Sequence, residues 1–246
     1  MCRLLGVVAE ESAPLADLLT GVLHPFLRLA GEHKDGWGIA YRAEGGRIEI
    51  VKGRHRADRS ARLFRQVQEI RTDAAFLHLR MASQNFAINV ANTHPFGDAH
   101  TAFAHNGDFA PVAILDEVIG PDLLATARGT TDSERFHLAV RRRMTDGLET
   151  GEAIARTARD VRTTANRLVS LNCLLLTSDA LFAYAEHASE SDVIQRRGED
   201  FFDLRYARDR ERRRIVVASE GWPRPDADWQ LLPARLPMKL QVAKPG

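Results

Sequence analysis

The sequence reads as an α+β protein built from packed layers. Strand-like apolar runs occupy its early and late parts, two helical patterns lie between them, and both sets are apolar enough to bury a face. The chain of 246 residues is 44% hydrophobic, enough for a full core. No repeat, low-complexity block or convincing linker interrupts it, so one domain over residues 2–246 is expected.

The elements follow in order. Residues 3–9 (RLLGVVA) form an apolar run that reads as a buried strand. From Pro14 to Leu29 apolar residues recur near a 3.6 period, with Pro14 acceptable in a first helical turn. Gly36–Tyr41 and Arg47–Val51 read as a strand pair joined by the turn signal Glu44-Gly45-Gly46. Asp58 is a candidate cap for a helix running to about Ile70. Ala74–Arg80 and Thr101–His105 read as short strands, with a polar loop holding Asn92 to Phe96 between them. Thr131 or Asp132 caps a helix with Phe136, Ala139, Val140 and Met144 on one side. Ile154, Ala158, Val161, Ala165 and Leu168 mark a second. Strands are then expected at Leu171–Thr177, Leu181–Glu186, Phe201–Tyr206 and Arg214–Ser219. From about residue 221 prolines recur, which predicts an extended strap with at most one short strand near Lys239–Val242.

Composition excludes several classes of function. The 34 Lys+Arg against 33 Asp+Glu leave a formal charge of +1, which argues against a nucleic-acid binder. Two cysteines, Cys2 and Cys173, rule out a disulfide scaffold or a Cys-rich zinc module. No signal peptide is visible, and no stretch approaches the roughly 20 apolar residues of a membrane helix. A soluble cytoplasmic protein is expected. His94, His100 and His105 lack metal-ligand spacing, and no phosphate loop is present, so neither a metal nor a cofactor is expected.

Each chemical candidate also has a structural reading. Cys2 is either a small buried residue at a strand start or, with Met1 removed, a thiol beside a free α-amine. Such an amine has a pKa of about 7.7–8.0 and can activate its own side chain as a nucleophile. Asn106-Gly107 is either a hairpin turn or a pair of donors, side-chain amide and backbone N–H, aimed at one oxygen. Arg80 is either a surface cation or a bidentate carboxylate holder. Asp132 is either a helix cap or a partner for an ammonium group. Trp37 lies in the bend Asp35-Gly36-Trp37-Gly38, where Gly38 permits close backbone approach. His94 is either a loop-ordering residue or part of a site.

The set taken together resembles the class II glutamine amidotransferases, which are N-terminal-nucleophile hydrolases. Met1-Cys2-Arg3-Leu4-Leu5-Gly6, Asp35-Gly36-Trp37-Gly38, His78-Leu79-Arg80-Met81-Ala82-Ser83, Asn92-Thr93-His94-Pro95-Phe96, His105-Asn106-Gly107 and Thr131-Asp132-Ser133-Glu134 occur in that order. The second and fourth look most like the stand-alone branch of putative amidotransferases and γ-glutamyl hydrolases. The resemblance implies a four-layer α/β/β/α sandwich. It also implies that Cys2 attacks a γ-amide carbonyl, with its own α-amine as base and then acid. Asn106 and Gly107 would hold the oxyanion, Arg80 the substrate α-carboxylate and Asp132 its α-ammonium, while His94 and Trp37 shape the pocket. Met81 stands where many relatives carry an aromatic residue. The segment Ser83–Val90 lacks a glycine often found there.

Three functions follow from this. The first is hydrolysis of a γ-glutamyl amide, in glutamine or a γ-glutamyl conjugate, by the chain alone. The second is a glutaminase subunit delivering ammonia to a separate synthase. The third is a catalytically silent interaction protein, against which the intact Cys2, Arg80, Asn106, Gly107 and Asp132 weigh.

Overall fold

The computed structural model describes residues 1–82, 87–219 and 228–242. In chain order its strands and helices are β1 (Arg3–Pro14), α1 (Leu15–Leu18), α2 (Leu23–Arg28), β2 (Trp37–Arg42), β3 (Ile48–Gly53), α3 (Ala61–Glu69), β4 (Arg71–Leu79), β5 (Phe96–Gly97) and β6 (Thr101–Ala110). Then come α4 (Asp116–Ile119), α5 (Pro121–Leu124), α6 (Asp132–Thr145), α7 (Thr150–Thr164), β7 (Arg167–Thr177), β8 (Leu181–Tyr184), α8 (Asp192–Arg197), β9 (Leu204–Asp209), β10 (Arg214–Ser219), β11 (Gln230–Leu231) and β12 (Met238–Leu240).

The strands make two antiparallel sheets, ordered β11-β9-β10-β1-β4-β2-β3 and β12-β8-β7-β6-β5. Side chains alternate across a strand, so each sheet has two faces to cover. Leu4, Val8, Ala74 and Phe76 of the first sheet meet Ala102, Ala104, Leu174 and Leu176 of the second in a core between the sheets. The opposite face of the first sheet, with Leu5, Val7, Ala75 and Leu77, packs under Leu15, Leu18, Phe26, Leu63 and Val67 of α1, α2 and α3. The opposite face of the second, with Phe103, Leu171, Cys173 and Leu175, packs under Phe136, Val140, Ile154 and Val161 of α6 and α7. The result is the expected α+β sandwich of four layers, α/β/β/α. Among the described residues no helix is long and apolar enough to cross a membrane.

Several boundaries differ from the sequence reading. The Pro14–Leu29 pattern is broken into α1 and α2 at Gly21, whose positive φ of 82° leaves the right-handed helical region. The first strand continues to Pro14 because, past an irregularity, Ala13 and Pro14 pair again with Thr72 and Arg71. Ser60, not Asp58, caps α3 by accepting from the Leu63 N–H, while Asp58 is held by Arg56. Leu168 opens β7 instead of continuing α7, because Ala165 turns extended and the Asn166 N–H binds the Ala110 carbonyl. Phe201 and Phe202 lie in a 3₁₀ turn before β9, and Phe202 is buried with Val169, Val193 and Ile194. The strap carries two short strands, β11 and β12, where at most one was expected. Its prolines at 223, 225 and 245 lie outside the described residues, as do positions 83–86 of the segment after Arg80.

Candidate active site

Strand alternation places the site between the sheets. On β1, Leu4 and Val8 face the inter-sheet core, and Cys2 shares their parity. On β4, Ala74 and Phe76 face the same core, so His78 and Arg80 follow in step. On β6, Ala102 and Ala104 do so from the other sheet, followed by Asn106. Arg3 pairs with Leu79, so one further step along these antiparallel strands brings Cys2 beside Arg80.

The Asn106-Gly107 pair makes no hairpin turn. Strand β6 runs straight through it to Ala110, with Asn106 opposite Asn172 and Gly107 opposite Leu171 on β7. Gly107 is required by crowding, since a Cβ there would overlap the Ser170 carbonyl oxygen and the His105 ring. The Asn106 side chain is fully buried, and neither its amide nitrogen nor its oxygen has a hydrogen-bond partner among the described residues.

A cavity of about 30 Å³ is lined by Met1, Cys2, Arg80, Met81, His94, Asp132 and their neighbours. The Cys2 thiol lies 3.7 Å from the Met81 carbonyl oxygen. Burial pushes its pKa up, partly offset by the neighbouring α-ammonium. The Met1 α-ammonium donates to Met81 Sδ at 2.7 Å, and burial lowers its pKa. Met81, which departs from the family pattern, therefore contacts both ends of the Met1-Cys2 pair.

Arg80 is clamped through its backbone by Asp35 and Gly36. The Arg80 N–H donates to the Gly36 carbonyl at 2.9 Å, and the Asp35 N–H donates to the Arg80 carbonyl at 3.1 Å. The Asp35 carboxylate accepts from the Ala82 N–H at 2.9 Å. The guanidinium is buried. Its Nη2 donates to the Ala87 carbonyl at 3.1 Å, while Nη1 has no partner among the described residues.

Thr131 caps α6, accepting from the Glu134 N–H at 3.2 Å. The Glu134 carboxylate turns back to the N–H groups of Arg128 and Gly129. Asp132 is thus free of the capping role. Its carboxyl accepts from the Phe109 N–H at 3.2 Å and lies 3.9 Å from His105 Nδ1. His105 carries no compensating charge, because burial pushes its pKa down to about 4. Burial, with Asp108 nearby, pushes the Asp132 pKa up to about 7. Among the described residues, this buried carboxyl has no charged cation paired with it.

His94 lines the cavity, and its ring lies 4.1 Å from that of His78, centroid to centroid. Both rings are buried, and burial keeps both neutral. Of the candidates, Trp37 and the Asn106 side chain do not line the cavity, although Gly107 beside Asn106 does. Trp37 lies furthest from the expectation. It packs into the outer core against Gly53, where a Cβ would collide with the indole. The sequence reading also missed His78, His105 and Ser133. The parity of His78 with Arg80, two residues on, was the available signal.

A family model described as class-II glutamine amidotransferases matches residues 1–233. The chain belongs to this family, whose domain supports hydrolysis of the glutamine amide. The fold is similar to that of a glutamine aminotransferase class-II domain protein from Silicibacter pomeroyi, with a TM-score of 0.64 and 18% identity, covering 98% of this chain and 100% of that one. It is also similar to the glutamine phosphoribosylpyrophosphate amidotransferase from B. subtilis, with a TM-score of 0.59 and 16% identity, covering 98% of this chain and 49% of that one. These likenesses are to N-terminal-nucleophile amidotransferase folds. An uncharacterised protein from Methanocaldococcus jannaschii is 27% identical over 200 residues, 78% of this chain and 53% of that protein. The match therefore spans about half the length of that curated relative.

Proposed function

We propose that the chain hydrolyses a γ-glutamyl amide, glutamine or a γ-glutamyl conjugate, through a γ-glutamyl thioester on Cys2. Removal of Met1 frees the Cys2 α-amine, which takes the thiol proton as sulfur attacks the γ-carbonyl. The C–S bond forms, and the oxyanion is held by the Asn106 amide and the Gly107 N–H. The amine returns the proton to the leaving nitrogen, the C–N bond breaks, and ammonia or an amine departs. Water then attacks the thioester, the C–S bond breaks, and glutamate leaves with the thiol restored.

One observation carries this reading: Arg80 and Asp132 at the Cys2 cavity, with the buried Asn106 amide on the strand that lines it through Gly107, complement a glutamyl group part by part. Arg80 Nη1 suits the α-carboxylate, Asp132 suits the α-ammonium, and the Asn106 amide suits the γ-oxygen. Buried polar groups otherwise find partners, so an Arg80 nitrogen and an Asn106 amide without partners among the described residues, with the Asp132 carboxyl hydrogen-bonded but not ion-paired to a charged group, are what a substrate site would leave. The cavity volume of about 30 Å³ exceeds the roughly 10–15 Å³ that one water needs but is too small for a glutamyl group. Loss of Met1, which lines the cavity, both arms the nucleophile and opens the space.

The test is a panel of γ-glutamyl compounds, glutamine included, offered to purified chain shown by intact mass to begin at Cys2. Steady glutamate release from at least one supports hydrolysis by the chain alone. Release that arises only when an ammonia-accepting synthase is added would favour the subunit reading. No release under either condition would sink both.

A further inference from the structure

Cys2, His78 and His94 come together although they are distant in sequence. One ligating atom from each, sulfur from the cysteine and a ring nitrogen from each histidine, lies within 4.8 Å of the other two, and all three residues are buried. The two rings come from different places, His78 from the C-terminal end of β4 and His94 from the loop before β5. They are brought into contact because Gly38, paired with His78, leaves room for the His94-Pro95 backbone.

The proposed hydrolysis gives His78 no task. Neither nitrogen of His94 has a hydrogen-bond partner among the described residues. The backbone of His105 approaches the His78 ring without reaching hydrogen-bond geometry. A buried polar atom left in this state costs about 1–3 kcal/mol. Two such imidazoles facing one thiol are therefore a costly arrangement for packing alone.

We propose that Cys2, His78 and His94 form a binding site for a thiophilic divalent cation, zinc in the first place, which closes on the nucleophile and inhibits it. The inference rests on Cys2 being the nucleophile. One thiolate and two neutral imidazoles suit zinc and not magnesium or calcium, which take oxygen ligands. Zinc bonds of about 2.3 Å to sulfur and 2.0–2.1 Å to nitrogen place tetrahedral ligands about 3.5 Å apart. From the present limit of 4.8 Å, the three atoms need to close by at most about 1.3 Å. The α-amine of a processed Cys2 supplies a fourth donor from the same residue. On binding, the thiol gives its proton to solvent and its sulfur lone pair to the metal, so it cannot attack a carbonyl until the metal leaves.

The experiment uses the full chain, processed to Cys2 and stripped of metal by dialysis against chelator. Cobalt(II) is titrated in and followed by its visible bands and by the sulfur-to-cobalt charge-transfer band in the near ultraviolet. Zinc affinity is then read by competition with a chromophoric chelator. One equivalent is expected, with a charge-transfer band that vanishes in Cys2→Ser. His78→Gln, similar in bulk and checked by circular dichroism, is expected to weaken zinc by about 100-fold or more, since even outer-shell partners are worth 10–100-fold. His94→Asn is expected to act likewise.

No charge-transfer band, or zinc affinity unchanged in both folded histidine variants, overturns the proposal. Glutamate release in the presence of chelator separates the two readings. If the metal-free chain is active and zinc does not inhibit it, the metal proposal fails and the hydrolase reading stands. If the metal-free chain is inactive on every γ-glutamyl compound while the cobalt band is intact, the hydrolase reading fails, and the inhibitory role with it.

Discussion

Gly38 and His94 are in backbone contact so close that a Cβ on Gly38 would overlap the His94 carbonyl oxygen and the Pro95 ring. This contact sets the His94 ring beside His78 at the cavity. Gly38→Ala must push the His94-Pro95 segment away, and overpacking of this kind costs about 1–3 kcal/mol. The urea midpoint is expected to fall by a corresponding amount, with a rise in KM. A variant as stable as the parent would show that the contact is slack.

Asn106 separates a catalytic group from a structural one. If its amide holds the oxyanion, Asn106→Ala lowers kcat by about 10²–10³ with little change in KM. The same change removes a buried amide without partners among the described residues, so stability is expected to hold or rise. A large loss of stability would mean the amide is bonded within the protein and is not waiting for substrate.

Arg80 has one guanidinium nitrogen without a partner among the described residues, and its backbone is held by Asp35 and Gly36. Arg80→Met is expected to raise KM about 100-fold, the scale of a lost charge-assisted bond of about 1.5–3 kcal/mol. Lysine should rescue little of this, since it lacks the planar fork. A γ-amide substrate lacking the α-carboxylate should not distinguish parent from variant. Equal losses on both substrates would contradict the assignment.

Asp132 predicts an unusual pH dependence. Its folded-state pKa is raised to about 7 from an ordinary value of 3.8. Between about pH 4 and 7 the folded state therefore holds a proton that the unfolded state has lost. This contribution makes the protein less stable as pH rises through that window, and the penalty is complete above about pH 7. Asp132→Asn should remove it, so the variant gains on the parent between pH 5 and pH 8, by on the order of a few kcal/mol. Binding has the opposite sign: an α-ammonium needs the ionised carboxylate, so KM should rise as pH falls below about 7. A stability difference that does not change with pH would contradict the raised pKa.

Much of the layering was legible because inter-sheet residues recur at every second position on β1, β4 and β6. The candidate site residues were singled out for a different reason. Cys2, Arg80, Asn106 and Asp132 are residue types whose functional and structural readings differ in what they demand of neighbours, and their order along the chain resembled a known family. The hairpin alternative at Asn106-Gly107 is not realised because the partner across β6 is β7, more than sixty residues on, and local turn chemistry carries no information about it. Trp37 was misplaced for a similar reason, since which face of β2 its indole takes depends on Gly53 across the strand pair. The Cys2, His78 and His94 cluster depends on three segments meeting in space, so spacing between histidines in the sequence could not reveal it.

The most direct measurement is glutamate release from a γ-glutamyl substrate by the processed parent chain and by Cys2→Ala, with circular dichroism showing both folded. The account predicts release by the parent and none above background by the variant. Comparable turnover by the two would contradict it, because no other described residue is given the role of nucleophile.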